Sequence, residues 1–208
     1  MEQEVIIDTK NEVYAPAEDT YLIIDMLLSY LKSSKKSNIS LLDIGTGTGI
    51  ISITSTRSKK ITKLTLSDIN PEAVSLAKKN LENNVDLLKN IKTEVIQSDL
   101  FNNVHKVKYD IITFNPPYLP MEENSKILNE AFFGGWSGIE ITQKFLKTSL
   151  EYLSEDGVIF IVSSSLADIN KLISYIKEVG LIIKNQEKVH IFFEDIICFE
   201  LHLKNNNG

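Results

Sequence analysis

The sequence predicts an α/β protein, a doubly wound and mostly parallel sheet of seven strands that ends in an antiparallel hairpin. Three observations predict it. Short apolar runs alternate with helix-like segments, as βαβ crossovers require. The last two runs are separated only by a tight turn, so one of them must reverse direction. The first four strands end at or just before Asp43, Asp68, Asp99 and Asn115, and sheets of this kind bind ligands outside those carboxyl ends.

Each element carries its own signal. A helix is expected from Pro16 to about Leu31, with Pro16 at the first helical position and Glu18 and Asp19 in the first turn. It is apolar on most sides, so it should be well buried. Ile39 to Ile44 reads as the first strand, and the glycines at 45 to 49 open a second helix. Lys63 to Ser67 is the second strand. Asn70 caps a third helix with Pro71 just inside it, and Val74, Ala77 and Leu81 share one face. Thr93 to Gln97 and Tyr109 to Phe114 are the third and fourth strands. Ser137 and Glu140 have the S-x-x-E spacing of a capping box, opening a helix to about Leu153. Gly157 to Ser163 is the fifth strand and Ile169 to Val179 a helix. Leu181 to Val189 and Asp195 to Leu203 form the hairpin, turning near Phe192 to Glu194.

Composition narrows the function. The chain has 208 residues, 43% of them apolar, which suits one domain over 1–208 with an arm at 1–13 and a frayed tail at 204–208. Cys198 is the only cysteine, which excludes an internal disulfide and a Cys-rich zinc site. His105, His190 and His202 lack ligand spacing, so no metal is expected. Lys and Arg number 22 against 28 acids, for a net charge of −6, and Arg57 is the only arginine. That balance argues against stable nucleic-acid binding. Tyr21 to Leu31 is too short to span a bilayer and contains Asp25. The N-terminus lacks the basic region of a signal peptide, so no membrane association and a cytoplasmic location are expected.

The strand ends carry the chemistry. Gly45, Gly47 and Gly49 follow the first strand with the spacing G-x-G-x-G, and Asp43 precedes them. A carboxylate there repels a pyrophosphate and attracts a cation. S-adenosylmethionine, which carries an ammonium and a sulfonium, suits this turn better than a nicotinamide dinucleotide. Asp68 lies about 20 residues further on, at the second strand end, where a carboxylate can accept from ribose hydroxyls. Asp99 ends the third strand, where it can accept from an adenine amino group.

The fourth strand runs into Asn115-Pro116-Pro117-Tyr118. Each proline holds the residue before it extended, so this backbone is stiff. The Asn115 side-chain oxygen and the Pro116 carbonyl can both accept from one planar NH2 group, and Tyr118 can stack on it. The nitrogen of an amide or aromatic amine is a poor nucleophile because its lone pair is delocalised. Two acceptors on its hydrogens favour developing positive charge and aim it at a methyl group.

With these residues in view, the chain resembles class I, S-adenosylmethionine-dependent methyltransferases of Rossmann-like fold. More narrowly, it resembles the HemK family of protein-(glutamine-N5) methyltransferases. The run Asp43 to Gly49, Asp68-Ile69-Asn70-Pro71 and Asn115-Pro116-Pro117-Tyr118 carry the likeness. Val13-Tyr14-Ala15-Pro16-Ala17-Glu18-Asp19-Thr20 is similar to the opening motif of the short archaeal and eukaryotic branch. Gly134-Gly135-Trp136-Ser137-Gly138 is similar to that branch's G-G-x-x-G loop. The short branch lacks the N-terminal helical domain of the bacterial enzymes, and here only residues 1–13 precede Tyr14.

The resemblance implies methyl-donor contacts from Tyr14, Thr20, Asp43, Gly45, Gly47, Gly49, Asp68, Ile69, Asp99, Leu100 and Asn115. It implies that Asn115, Pro116, Pro117 and Tyr118 face the substrate, with Asn115, Pro116 and Tyr118 catalytic. It implies methylation of the glutamine in the Gly-Gly-Gln motif of a class I translation release factor. It also implies a small zinc-binding activator protein, paired by analogy along the third strand at Glu94-Val95-Ile96. The same Asn-Pro-Pro-Tyr chemistry serves adenine N6 or guanine N2, so a nucleic-acid methyltransferase is the alternative. The stretch from Leu119 to Trp136 reads as a substrate-facing loop.

Overall fold

The computed structural model describes residues 4–120 and 134–204. Most of the expected loop from Leu119 to Trp136, and most of the expected tail, lie outside the described residues. Among the described residues, five α-helices and seven strands follow in the order α1 (Glu18–Ser33), β1 (Ile39–Ile44), α2 (Ile50–Ser55), β2 (Ile61–Asp68), α3 (Pro71–Asn83), β3 (Lys92–Gln97), β4 (Tyr109–Phe114), α4 (Glu140–Ser149), β5 (Leu153–Ser164), α5 (Ile169–Glu178), β6 (Leu181–Ile191) and β7 (Glu194–Leu203). A single 3-10 turn, Thr56–Ser58, extends α2.

The strands form one sheet in the order β3-β2-β1-β4-β5-β7-β6. The first five run parallel. β7 inserts antiparallel between β5 and β6, as the missing crossover helix demands. The chain winds outward from β1 to β3, then returns to start again at β4. The crevice where the winding reverses lies between the carboxyl ends of β1 and β4.

Side-chain alternation along each strand divides the core in two. Leu41, Ile111, Val158, Phe160 and Cys198 point to one face, under α1, α2 and α3. Leu42, Ile112, Ile159, Ile161 and Phe199 point to the other, against Phe145 and Leu146 of α4 and Leu172 and Ile176 of α5. Both faces are therefore buried, which is why the central strands read as continuous apolar runs.

Two helix starts differ from the sequence reading. Pro16 lies outside α1, which opens at Glu18 with Ala17 as its extended N-cap. The Asp19 carboxylate accepts from the Thr20 N–H at 2.6 Å, so a first-turn side chain satisfies a donor that a capping residue would normally serve. Similarly, α4 opens at Glu140, not Ser137, and ends at Ser149. Glu140 still reaches back to accept from the Ser137 and Ile139 N–H groups, at 3.0 and 3.2 Å. Asn70 caps α3 as expected, its side chain accepting from the Glu72 N–H at 2.9 Å.

The arm before α1 is tied to α3 by two asparagines. Asn80 accepts from the Asp8 N–H at 2.9 Å and donates to the Asp8 carbonyl at 3.0 Å. One helical turn on, Asn84 accepts from the Ile6 N–H at 2.9 Å and donates to the Ile6 carbonyl at 2.6 Å. Four residues of helix rise about 6 Å and two of extended chain about 6.8 Å, so the two repeats match. Two buried side chains thus pair with the arm as a neighbouring strand would.

Candidate active site

The crevice between β1 and β4 gathers most of the residues singled out from the sequence. Gly45, with φ +62°, turns the chain off β1, and a Cβ there would lie 3.2 Å from the Phe114 ring. Gly49, with φ +82°, is the N-cap of α2. Gly47 has the arm overhead, with the Tyr14 carbonyl 3.8 Å from where its Cβ would stand. The turn thus needs glycine both for left-handed backbone and for close approach.

Asp43 does not reach the surface of this crevice. It is fully buried, accepting from the Thr113 hydroxyl at 2.6 Å, the Thr46 hydroxyl at 2.6 Å and the Ser52 hydroxyl at 3.1 Å. Register pairs Asp43 directly with Thr113 across β1 and β4. Burial pushes its carboxyl up to about 6, against the pull of the three hydroxyls. Its charge can act on a ligand only through the turn it braces.

Asp68 stands at the end of β2, accepting from the Gly47 and Asn70 N–H groups, both at 2.9 Å. Burial raises its carboxyl above the ordinary range, opposed by those backbone bonds. The Asp68 carbonyl accepts from the Ser98 N–H at 2.9 Å, bringing the ends of β2 and β3 together. Ile69 and Asp99 are both exposed there, and Leu100 turns with φ +48°. An acid at the second strand end, an acid at the third and apolar residues beside both suit a ribose and its flat base.

On the β4 side, Asn115 is half-buried and Pro116 buried. The Asn115 side-chain N–H donates to Asp19 at 3.0 Å. The Tyr118 hydroxyl donates to the same Asp19 oxygen at 3.1 Å and the Tyr14 hydroxyl at 3.0 Å. Burial and the adjacent carboxylate raise both tyrosine hydroxyls well above their ordinary range, so both stay protonated as donors. The other Asp19 oxygen accepts from the Thr20 hydroxyl at 3.1 Å as well as the Thr20 N–H. The Asn115 Oδ1 atom is buried and has no hydrogen-bond partner.

Asp19 stands in the sequence reading only as a first-turn acid and as part of the Val13–Thr20 motif, with no contact assigned to it. A first-turn acid is ordinarily a solvated dipole partner, and Glu18 beside it is just that, exposed to solvent. Asp19 is instead 3% exposed. The available signal was its place between Pro16 and Thr20, in a motif already matched at both ends.

A groove of about 680 Å³ lies elsewhere, between the arm and α3. Its charged residues are already paired, Lys79 with Asp8 at 2.8 Å and Lys10 with Glu72, so it offers no comparable chemistry.

Comparison with known proteins agrees with this geometry. Residues 24–192 match the family described as the methyltransferase small domain. A Methanocaldococcus jannaschii protein, named as a candidate protein N5-glutamine methyltransferase, is 40% identical over 189 residues, 89% of each chain. The release factor glutamine methyltransferase of Streptococcus pneumoniae is 31% identical over 157 residues, 72% of this chain and 53% of that one. The chain thus spans most of the archaeal relative and about half of the bacterial one. Among solved structures, the Mtq2–Trm112 complex of E. cuniculi, described as responsible for methylating the termination factor eRF1, superposes with a TM-score of 0.63 at 21% identity, covering 92% of this chain and 99% of that one. That likeness establishes the fold. The chain belongs to the methyltransferase small-domain family and, within it, to the HemK-type protein-(glutamine-N5) methyltransferases, enzymes that use S-adenosylmethionine.

Proposed function

We propose that this enzyme methylates the side-chain amide nitrogen of the glutamine in the Gly-Gly-Gln motif of a class I translation release factor. The observation that carries the reading is the buried, unpartnered Oδ1 of Asn115. Buried polar atoms almost always have a partner, so a bare acceptor in a ligand crevice is an acceptor held for a substrate donor. A primary amide supplies an N–H donor of the right shape. Relatives named for release factor glutamine methylation support the substrate class. S-adenosylmethionine supplies a methyl group on a sulfonium.

The chain's own residues do the rest. The acids at 68 and 99 hold the ribose and the adenine, between Ile69 and Leu100. Gly45, Gly47 and Gly49 let the backbone approach the donor, and Thr20 and Tyr14 close the α1 side. Asn115 Oδ1 and the Pro116 carbonyl accept from the two amide hydrogens. Tyr118 and Pro117 bound the plane in which the amide lies. With the donor bound, the amide nitrogen would take the methyl group as the methyl–sulfur bond breaks, its electron pair leaving on sulfur as a neutral thioether, and Asn115 Oδ1 and the Pro116 carbonyl would stabilise the positive charge that develops on the amide. The proton leaves the nitrogen for water.

The same reading gives one working domain over 1–208, located in the cytoplasm. No helix of the described residues is long and apolar enough to cross a membrane. The activator pairs along β3, an edge strand bonded only to β2, with Glu94, Val95 and Ile96 at its centre. The zinc belongs to that activator.

The test is methyl transfer from labelled donor with the activator present. Label is expected on a release factor carrying Gly-Gly-Gln, and not on its Gly-Gly-Asn variant, bulk RNA or DNA. Asn115→Ala should lower turnover by about 100-fold or more. Label on nucleic acid and none on the release factor would replace this reading with an amino-group methyltransferase of adenine or guanine.

A further inference from the structure

We propose that Asp19 is the positioning residue that fixes the amide of Asn115 with its oxygen toward the substrate. The proposal rests on the glutamine-amide reading above and adds what selects the chemistry of the site.

An asparagine amide turned by 180° keeps its shape and exchanges donor for acceptor. The residue 115 side chain could therefore present either N–H or oxygen to the crevice. With N–H outward it would meet another donor on a glutamine amide nitrogen and repel it. Its orientation is decided by its inner neighbour. A carboxylate only accepts, so the atom 3.0 Å from Asp19 must be the Asn115 nitrogen. The reverse orientation would set two oxygens against each other at that distance. Asp19 thus takes the Asn115 nitrogen and leaves Oδ1 as the buried atom without a hydrogen-bond partner, the acceptor available to a substrate donor.

The arrangement is one-way because Asp19 is itself saturated. One oxygen receives Asn115, Tyr14 and Tyr118. The other receives the backbone and hydroxyl of Thr20. No direction remains to take a proton from the substrate, so Asp19 acts through Asn115. It also comes from α1 rather than from β4, so the helix that closes the donor site also orients the acceptor side chain.

The test is an exchange of the pair. Asp19→Asn removes the charge and lets position 19 present either amide atom, so Asn115 is no longer held one way. Asn115→Asp sets two carboxylates face to face. The double variant D19N/N115D restores a donor–acceptor contact across the same gap with its polarity reversed, and still turns an oxygen outward. Each single variant is expected to lose about 100-fold in turnover number. The double variant is expected to regain at least about tenfold over either single, a non-additivity that only a direct pairing gives. Melting temperature reads the same cycle without any substrate: N115D should melt below wild type, and D19N/N115D several degrees above N115D. If the wild type fails to label the release factor, the substrate reading falls while the melting cycle still answers for the pair. Additive melting temperatures, or D19N turning over like wild type, would overturn the proposal.

Discussion

Asp43 shows how one buried acid can be both useful and unfavourable. Its carboxyl is raised from 3.8 to about 6, chiefly by burial. The folded protein therefore holds this proton more tightly than the unfolded chain. Between pH 4 and 6 the fold binds more protons than the unfolded state, so stability falls as pH rises through that window and levels above it. Two pH units correspond to about 3 kcal/mol. Asp43→Asn should flatten this part of the stability curve relative to wild type, measured by urea unfolding at fixed pH values. The strand-end placement of Asp43, Asp68, Asp99 and Asn115 was legible because the alternation of strands and helices alone puts strand ends along one side of the sheet. Asp19 was not, because its partners come from the arm and from β4, and nothing local in α1 distinguishes an inward acid from an outward one. The burial of Asp43 was hidden for a related reason. The three hydroxyls that allow it lie at positions 46, 52 and 113, and only the fold brings the last of them near.

At the scale of elements, β1 and β4 match their expected spans, Ile39–Ile44 and Tyr109–Phe114. They are buried on both faces, and the apolar run stops where the crevice begins. The helix starts at α1 and α4 were displaced, because capping atoms came from Asp19 and Glu140 inside the first turn. The turn joining β1 to α2 is the least forgiving segment. Gly45→Ala would force a left-handed residue to carry a Cβ against the Phe114 ring. It should lower stability by about 1–3 kcal/mol in denaturant titration and weaken donor binding with it. Asn80 is the equivalent point for the arm. Asn80→Ala removes three hydrogen bonds, two to Asp8 and one to the Thr48 carbonyl. It leaves the buried Thr48 carbonyl and the half-buried Asp8 backbone groups without these partners, so a loss of about 2–3 kcal/mol is expected by the same measurement.

For the whole molecule, a seven-stranded open sheet leaves two edges, β3 and β6, and the chain treats them differently. β6 exposes Lys184, Glu187 and Lys188 along its length, charges that discourage a second strand from adding. β3 holds Val95 and Ile96 half-buried at its centre, with less to repel a partner. Replacing Lys184 and Glu187 together by Ile should produce concentration-dependent association in sedimentation at concentrations where the parent chain does not associate through this edge. A different consequence follows from the asparagine pair on α3. The Asn80 side chain touches the Asp8 backbone and the Thr48 carbonyl at once, so the arm and the glycine turn share one support. Amide protons of residues 6 and 8 should then exchange with solvent in the same opening event that releases the turn. Donor bound at the turn stabilises the closed form by mass action. Slowed exchange at Ile6 and Asp8, residues of the arm to which no donor contact is assigned, would therefore report that the donor has arrived.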